Sequence, residues 1–98
     1  MLYVVTCQDR PGMIETRMEH RPAHLEWATA KDSPIKMAGP LLDDQGSPLG
    51  SLLVVEADGP DALEAFLRTD PYARAELFAH VTFAPFRWTV NPPEGLNP

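Results

Sequence analysis

Short apolar runs alternate with longer segments of helical periodicity along this chain, and the alternation predicts its elements. Leu2 to Cys7 is β-branched and aromatic and is followed by a Pro-Gly turn, which predicts a first strand. Met13 to about Ala30 combines good helix formers with apolar positions at helical spacing, which predicts a first helix. Pro22 removes a backbone hydrogen bond inside that segment, so we expect a kink or two abutting helices there.

Two further strands are predicted in the middle of the chain. Ile35 to Leu42 forms the second, and its Gly39-Pro40 pair requires a bend that a regular central strand would not tolerate. Gly50 to Ala57 forms the third. Its run of apolar residues is almost continuous, which indicates that the strand is covered on both faces.

A second helix and a last strand complete the pattern. Asp58 to Asp61 opens the helix, with a cap residue followed by an early proline. Asp70-Pro71 ends it, because the residue before a proline avoids the helical region. The last strand is predicted from His80 to about Val90, with Pro85 marking an edge position or a bulge.

The order β-α-β-β-α-β is that of an α+β, ferredoxin-like split βαβ fold. We predict one domain over residues 1–90 and a loose, proline-rich tail over residues 91–98. Two helices cover only one face of a four-stranded sheet. A second copy of the chain is the economical cover for the other face, so we expect a homodimer formed through the sheet face.

Composition and charge narrow the function classes. Of the 98 residues 44% are hydrophobic and 22% are charged, which is typical of a globular domain. The formal net charge is −6, with lysine and arginine scattered. Binding to nucleic acid or to an anionic membrane surface requires a concentrated basic patch, so neither partner is expected.

The number of cysteines and the lengths of the apolar runs indicate the cellular location. Cys7 is the chain's single cysteine, so an internal disulfide is excluded and a reducing compartment fits. The initial run Leu2 to Val5 is too short for a signal peptide, and no stretch approaches the roughly 20 apolar residues of a membrane span. We therefore expect a cytoplasmic protein.

A histidine and an aspartate are the candidate catalytic residues. His24 lies on the first predicted helix, and histidine is the usual side chain for acid–base work near neutral pH. Asp70, at the end of the second predicted helix, is its candidate partner. Two structural alternatives stay open: His24 caps a turn or is partly buried, and Asp70 merely closes the helix.

Three more residues are candidates for binding a polar group of a substrate, namely Arg21, Ser51 and Tyr72. Tyr72 could equally cover the rim of the core, and Arg21 could be a solvated helix charge. The larger aromatic residues are expected in the core or in an interface; they are Trp27, Phe66, Phe78, Phe83, Phe86 and Trp88.

Metal and cofactor sites are not expected. His20 and His24 have the i, i+4 spacing of two ligands on one helix face, but no third ligand has the expected spacing. No phosphate loop or other cofactor motif occurs, so we predict that neither a metal nor an organic cofactor is required. Cys7 is interpreted as a small buried hydrophobe rather than a nucleophile.

Six short motifs follow one another in the order and spacing of a known family. They are Leu2-Tyr3-Val4-Val5, Arg21-Pro22-Ala23-His24-Leu25, Ala38-Gly39-Pro40-Leu41-Leu42, Gly50-Ser51-Leu52-Leu53, Asp70-Pro71-Tyr72 and Phe86-Arg87-Trp88. Through these motifs the chain resembles the YciI-like (YCII-related) proteins from Met1 to about Val90.

The resemblance implies a dimeric α+β barrel of the ferredoxin-like type. It also implies an active site built on a His-Asp pair, which corresponds here to His24 and Asp70. Most members of the family have no assigned reaction. One relative dehydrochlorinates a chlorinated hydroxyhydroquinone, and the wider fold group includes muconolactone isomerase. These two activities are analogies of fold and pocket and do not assign a reaction to this chain.

Two functions of different class remain open. The first is a small lyase or isomerase acting on a hydroxylated or carbonyl ring compound. There His24 moves the proton, while Asp70 holds the tautomer and stabilises the imidazolium. The second is a non-catalytic ligand-binding or accessory domain with a structural His-Asp pair. Placement of Ser51, Arg21 and Tyr72 in the same cavity as His24 would favour the first.

Overall fold

This computed structural model describes residues 1–96 of the chain, which contain four strands and three helices joined by loops. The strands are β1 (Leu2–Asp9), β2 (Ile35–Leu42), β3 (Pro48–Glu56) and β4 (Phe78–Phe86). The helices are α1 (Ile14–Ala28), α2 (Pro60–Leu67) and the one-turn α3 (Pro71–Arg74). The α+β class and the βαββαβ order are confirmed, with α3 added between α2 and β4.

The strands form one antiparallel sheet in the order β2-β3-β1-β4. This order is that of the ferredoxin-like fold, and it leaves β2 and β4 at the two edges. Pro40 in β2 and Pro85 in β4 therefore lie in edge strands, whereas the proline of the central strand β3, Pro48, is its first residue. An edge strand tolerates proline because the missing N–H can face outward instead of interrupting a ladder.

The last strand differs from its predicted range of His80 to Val90. It begins two residues earlier and ends at Phe86, which pairs with Leu2, the first residue of β1. Residues 87–90 have no further β1 backbone to pair with, so the strand ends. The division into a domain of residues 1–90 and a tail of residues 91–98 stays a prediction, and positions 97 and 98 lie outside the described residues.

Helix α1 continues through Pro22 without a break, so the alternative of two abutting helices is wrong. Proline deprives the helix of one hydrogen bond, the one to the carbonyl of Met18 four residues earlier. Pro22 and Met18 are both exposed, so water can bind the carbonyl that is left free. The loss is confined to the solvent side of α1.

The core lies between the helices and one face of the sheet. Its fully buried side chains come from the two central strands and α2; they are Tyr3, Val5, Cys7, Leu53, Val55 and Leu63. Four of the six aromatic residues expected in the core or in an interface pack against this cluster: Trp27, Phe66, Phe78 and Phe83. Within residues 1–96, no helix is long and apolar enough to cross a membrane.

The opposite face of the sheet carries apolar and threonine side chains at its centre. Residues directly across from one another in a ladder share a face. Val4 of β1 lies opposite Val54 and Ala84, and Thr6 lies opposite Leu52 and Thr82. The helices pack against the other face, the one that contains the core cluster.

The central strands β1 and β3 approach each other closely at Gly50. Gly50 of β3 is buried, and a Cβ there would clash with the carbonyl oxygen of Cys7 in β1. We predict that Gly50→Ala lowers the free energy of unfolding by about 1–3 kcal/mol, measured by urea denaturation. The matched control is Gly39→Ala in β2, where a Cβ meets nothing within 4 Å. Equal unfolding midpoints for the two variants would contradict the predicted clash.

Candidate functional site

A cavity of about 670 Å³ lies between α1 and the strands β2 and β3. Sites for small molecules typically enclose about 300–1,000 Å³, so this cavity is large enough for a small-molecule ligand. Its polar lining comes from α1, β3 and α3 and includes Arg17, Arg21, His24, Ser51 and Tyr72. The cavity therefore brings residues distant in sequence into one place.

His24 and Asp70 meet at the side of this cavity. The His24 Nδ1 atom lies 2.8 Å from the Asp70 Oδ1 atom, and both side chains are buried. Asp70 is the N-cap of α3, and the same Oδ1 accepts a hydrogen bond of 2.9 Å from the backbone N–H of Tyr72. Aspartate suits this position because it caps helices well and, before Pro71, adopts the extended backbone required.

The hydrogen bonds around Asp70 define the tautomer of His24. Because Oδ1 accepts the backbone N–H of Tyr72, the carboxylate is an acceptor here and Nδ1 of His24 donates to it. A neutral imidazole then carries its lone pair on Nε2. No residue among positions 1–96 hydrogen-bonds Nε2, and no buried side-chain nitrogen or oxygen there lacks a partner. Nε2 is thus accessible, and His24 lines the cavity.

The ring of Tyr72 packs against both His24 and Arg17. Its ring stacks on the imidazole of His24 with centroids 4.0 Å apart and an interplanar angle of 12°. The guanidinium carbon of Arg17 lies 4.6 Å from the same ring centroid. Burial raises the pKa of the Tyr72 hydroxyl, and the charges of Arg17 and Arg21 only partly oppose the shift. The hydroxyl is therefore protonated at neutral pH and can donate a hydrogen bond.

Arg17 is a buried cation that the sequence analysis did not identify. Its Nε and Nη2 atoms donate to the two carboxylate oxygens of Asp9 at 2.7 and 3.0 Å, and Nη2 also donates to Ser51 Oγ at 2.8 Å. Burial alone would lower the pKa of Arg17, but hydrogen bonds and charge from Asp9 raise it above its ordinary value. Arg17 is permanently charged and rigidly held.

The spacing of Arg17, Arg21 and His24 could have revealed the missing residue. These positions are i, i+4 and i+7, so they share one face of an α-helix. Asp9 carried no comparable signal, because its pairing with Arg17 depends on how α1 folds back along β1. The face of α1 that turns inward is thus polar, and its two buried residues are Arg17 and His24.

The structure places the predicted site residues as follows. Arg21, Ser51 and Tyr72 line the same cavity as His24, while Asp70 lies behind the imidazole. Ser51 and Tyr72 are buried, whereas Arg21 is exposed at the cavity surface. The structure thus brings all five together, and their roles in catalysis or substrate binding stay predictions.

The two histidines of α1 are held by different partners. His20 Nδ1 lies 2.9 Å from the carbonyl oxygen of Thr16, and His24 Nδ1 is bound to Asp70. Across positions 1–96, no three histidine, cysteine, aspartate or glutamate side chains are grouped to hold a metal ion. Cys7 is a free, buried thiol whose pKa burial raises to about 12, so its reactive thiolate is scarce at neutral pH.

Comparison with known proteins gives both a family and structural neighbours. The family model of the YCII-related domain matches residues 1–87. The protein YciI of Escherichia coli O6:H1 is 33% identical over 95 residues, covering 89% of this chain and 97% of the relative. An uncharacterised protein of Haemophilus influenzae is 28% identical over the same length.

Among solved structures, 5-chloro-2-hydroxyhydroquinone dehydrochlorinase (TftG) from Burkholderia phenoliruptrix AC1100 is 31% identical with a TM-score of 0.79. The match covers 88% of this chain and 93% of that one, and that structure is a complex with 2,5-dihydroxybenzoquinone. Rv0793 from Mycobacterium tuberculosis is similar in fold alone, at 14% identity and a TM-score of 0.57 over 92% of this chain and 97% of that one.

The buried ion pair yields a stability prediction. Arg17→Gln leaves the Asp9 carboxylate buried without its cation, so we expect the free energy of unfolding to fall by about 3–5 kcal/mol. The double variant Asp9→Asn with Arg17→Gln keeps two neutral hydrogen-bonding amides and should recover much of that loss. Urea denaturation at pH 7 measures both, with exposed Arg68→Gln as the control. A double variant no more stable than Arg17→Gln would contradict the prediction.

Proposed function

This chain belongs to the YCII-related family, and we propose that it is a small enzyme that transfers a proton on a hydroxylated or carbonyl ring compound. His24 is the acid–base residue and Asp70 its orienting partner. The observation that carries the proposal is the 2.8 Å hydrogen bond from His24 Nδ1 to Asp70, which leaves Nε2 free beside the cavity. A buried, oriented imidazole next to a ligand-sized cavity suits general acid–base catalysis.

The relatives support a ring compound as the substrate. The dehydrochlorinase that is 31% identical to this chain acts on a chlorinated hydroxyhydroquinone, and its structure holds a dihydroxybenzoquinone. Such compounds present oxygen atoms on a flat ring. The cavity here offers a matching set of hydrogen-bonding groups, namely the guanidinium groups of Arg17 and Arg21 and the hydroxyls of Ser51 and Tyr72.

The proposed chemistry begins with Nε2 of His24 removing a proton from a saturated ring carbon next to a carbonyl group. The electron pair of the broken C–H bond moves towards the carbonyl oxygen, which becomes negatively charged. Arg17, Arg21 and the Tyr72 hydroxyl stabilise that oxygen, as oxyanion-binding groups do. If the imidazolium returns the proton to another atom the reaction is an isomerisation. If a leaving group departs with its bonding pair, it is an elimination.

A non-catalytic role is the second candidate, because the same contacts also serve the fold. Asp70 caps α3, and the His24 ring stacks on Tyr72, so both residues hold α1 against α3 without any reaction. In that case the cavity would bind a small molecule and release it unchanged. The two functions are separated by whether a bound ring compound undergoes proton transfer.

Exchange of ring hydrogens tests the proposal directly. We predict that the protein accelerates exchange of the ring C–H of 2,5-dihydroxybenzoquinone in deuterated water, followed by proton NMR. Addition of a deuteron makes the ring carbon saturated, and His24 then removes the original proton from that carbon. His24→Ala should reduce the acceleration by about 10²–10⁴-fold, the usual contribution of a general acid or base. His20→Ala is the matched control, since His20 is on the same helix outside the cavity lining. Binding without any acceleration by the unaltered protein would support the non-catalytic alternative instead.

Substitution of Asp70 separates its two contributions. Asn is also a good N-cap, so Asp70→Asn should preserve most of the stability while slowing exchange, because the carboxylate that stabilises the imidazolium is lost. Asp70→Ala should slow exchange and also cost about 1 kcal/mol or more of stability. Equal exchange rates for Asp70→Asn and the unaltered protein would argue against stabilisation of the imidazolium by the Asp70 carboxylate.

We also propose that the chain forms a homodimer through the sheet face opposite the helices. The apolar centre of that face, which contains the half-buried Val4 and Leu52, supports the proposal. So does the small size of the domain, which limits the surface that one chain can bury by itself. A reducing, cytoplasmic location is proposed as well, on the free thiol of Cys7.

The dimer is tested by placing a charge on that face. Leu52→Glu should convert the protein to a monomer in sedimentation-velocity experiments, because a carboxylate buried in an apolar interface is strongly disfavoured. Leu49→Glu makes the same change in the same strand at an exposed position on the other side of the sheet, and should leave the dimer intact. A stable, folded monomer of the unaltered chain at micromolar concentration would contradict the dimer.

A further inference from the structure

The charges that line the cavity are all of one sign. Arg17 and Arg21 are its charged lining residues within the described range, although the chain as a whole has a net charge of −6. The carboxylates of Asp9 and Asp70 lie behind the lining and face Arg17 and His24. A ligand in this cavity meets guanidinium groups rather than carboxylates, which favours an anion.

Arg21 contributes the charge that is not neutralised locally. Arg17 is paired with Asp9, but no salt bridge to Arg21 occurs among residues 1–96. Arg17 contributes a guanidinium group in a fixed orientation, because its Nε and Nη2 atoms donate hydrogen bonds to Asp9 and Ser51. One arginine therefore attracts the anion, and the other presents a rigid donor group to it.

The two ends of the cavity differ in chemistry. Arg17 contacts Ser51 near the start of β3, and Arg21 lies one turn further along α1. Ala28 lies 11 residues beyond Arg17, about 16 Å along the helix axis. The lining there includes Thr29, whose hydroxyl donates to the carbonyl of Leu25, and is otherwise apolar, with Leu25, Ala28, Ile35, Ala38 and Leu53.

His24 lies between the two ends, within reach of a ligand that spans both. A cavity of about 670 Å³ is of the size that holds drug-sized ligands. A single six-membered ring with its oxygens would leave part of this space unfilled. The unfilled part is the apolar end, because ring oxygens belong at the end with Arg17 and Arg21.

We infer that the ligand is an anionic ring compound that carries an apolar substituent. Its ionised oxygens face Arg17 and Arg21, its ring lies beside His24, and its substituent fills the end near Ala28. This inference rests on the proposed function for the presence of a ring, and it adds the charge and the substituent. It makes Arg21 and Ala28 the residues that determine specificity.

Isothermal titration with a graded series of probes tests the inference. The probes are 2,5-dihydroxybenzoquinone, which is ionised at neutral pH, and its 3-methyl, 3-ethyl and 3-propyl derivatives. Each added methylene should tighten binding about fourfold, the effect of burying one such group. The neutral 2,5-dimethoxybenzoquinone should bind at least about tenfold more weakly than the ionised parent ring, because it lacks the charge that pairs with arginine.

Single substitutions show which residues contact the alkyl chain and which contact the ionised oxygens of the probes. Ala28→Leu should remove the gain in affinity from the alkyl chain, whereas Ala23→Leu, at a residue of the same helix outside the cavity lining, should change neither that gain nor the binding of the unsubstituted ring. Leu25→Ala, at a 40% exposed residue that the fold tolerates losing, should reduce the gain as well. Arg21→Gln should weaken every ionised probe about tenfold or more, with Arg68→Gln as its control.

The outcomes distinguish this inference from the proposed function. An unsubstituted ring that binds as tightly as its alkyl derivatives, or a neutral ring that binds as tightly as the ionised one, overturns the inference. Failure of all the probes to bind also overturns it. Hydrogen exchange measured on the same samples judges catalysis separately, so a protein that binds the series as expected but exchanges no hydrogen keeps the inference and loses the proposed reaction.

Discussion

The carboxylate of Asp70 joins the two helices, α1 and α3, that place His24 and Tyr72 in the site. Its Oδ1 atom accepts one hydrogen bond from the first turn of α3 and another from His24 of α1. Those contacts hold α1 and Tyr72 in fixed positions at the edge of the cavity. A buried carboxylate destabilises the folded state unless it is hydrogen-bonded. Loss of the contact with either His24 or Tyr72 would therefore destabilise the fold.

A second buried network stands beside the first. Asp9, Arg17 and Ser51 connect the end of β1, the start of α1 and β3, and every buried polar side-chain atom within residues 1–96 has a partner. Such networks stabilise a protein little more than apolar packing would, since desolvation offsets much of the attraction between the charges. Their presence next to a cavity is more readily explained by what they present to a ligand than by the stability they add.

Much of the fold was predictable because its signals are local. The bounds of β2 match the prediction of Ile35 to Leu42, and α2 begins at Pro60 after an extended Gly59, as its opening residues indicate. The end of β4 was missed because it depends on where β1 runs out of backbone to pair with. The sequence left open whether α1 is kinked or divided at Pro22, because the outcome depends on which side of the helix faces solvent.

The candidate site was only partly predictable, for a related reason. His24 and Asp70 were identified from residue type and from the family resemblance, but their 2.8 Å contact joins positions 46 residues apart. Arg17 was not identified, because an arginine in a helix is usually solvated and nothing local indicates that Asp9 will bury it. Spacing on the α1 face provided the available clue, since Arg17, Arg21 and His24 share that face.

The layering of charge decides what this site can do. Seen from the cavity, arginine and imidazole stand in front, and Asp9 and Asp70 stand behind them. An anion is therefore attracted by the front layer, while each rear carboxylate fixes the geometry of the group before it. If the order were reversed, the same four residues would repel an anion and would leave the imidazole unoriented. The overall charge of −6 therefore says little about the ligand, because the field that a ligand meets is determined by the nearest groups.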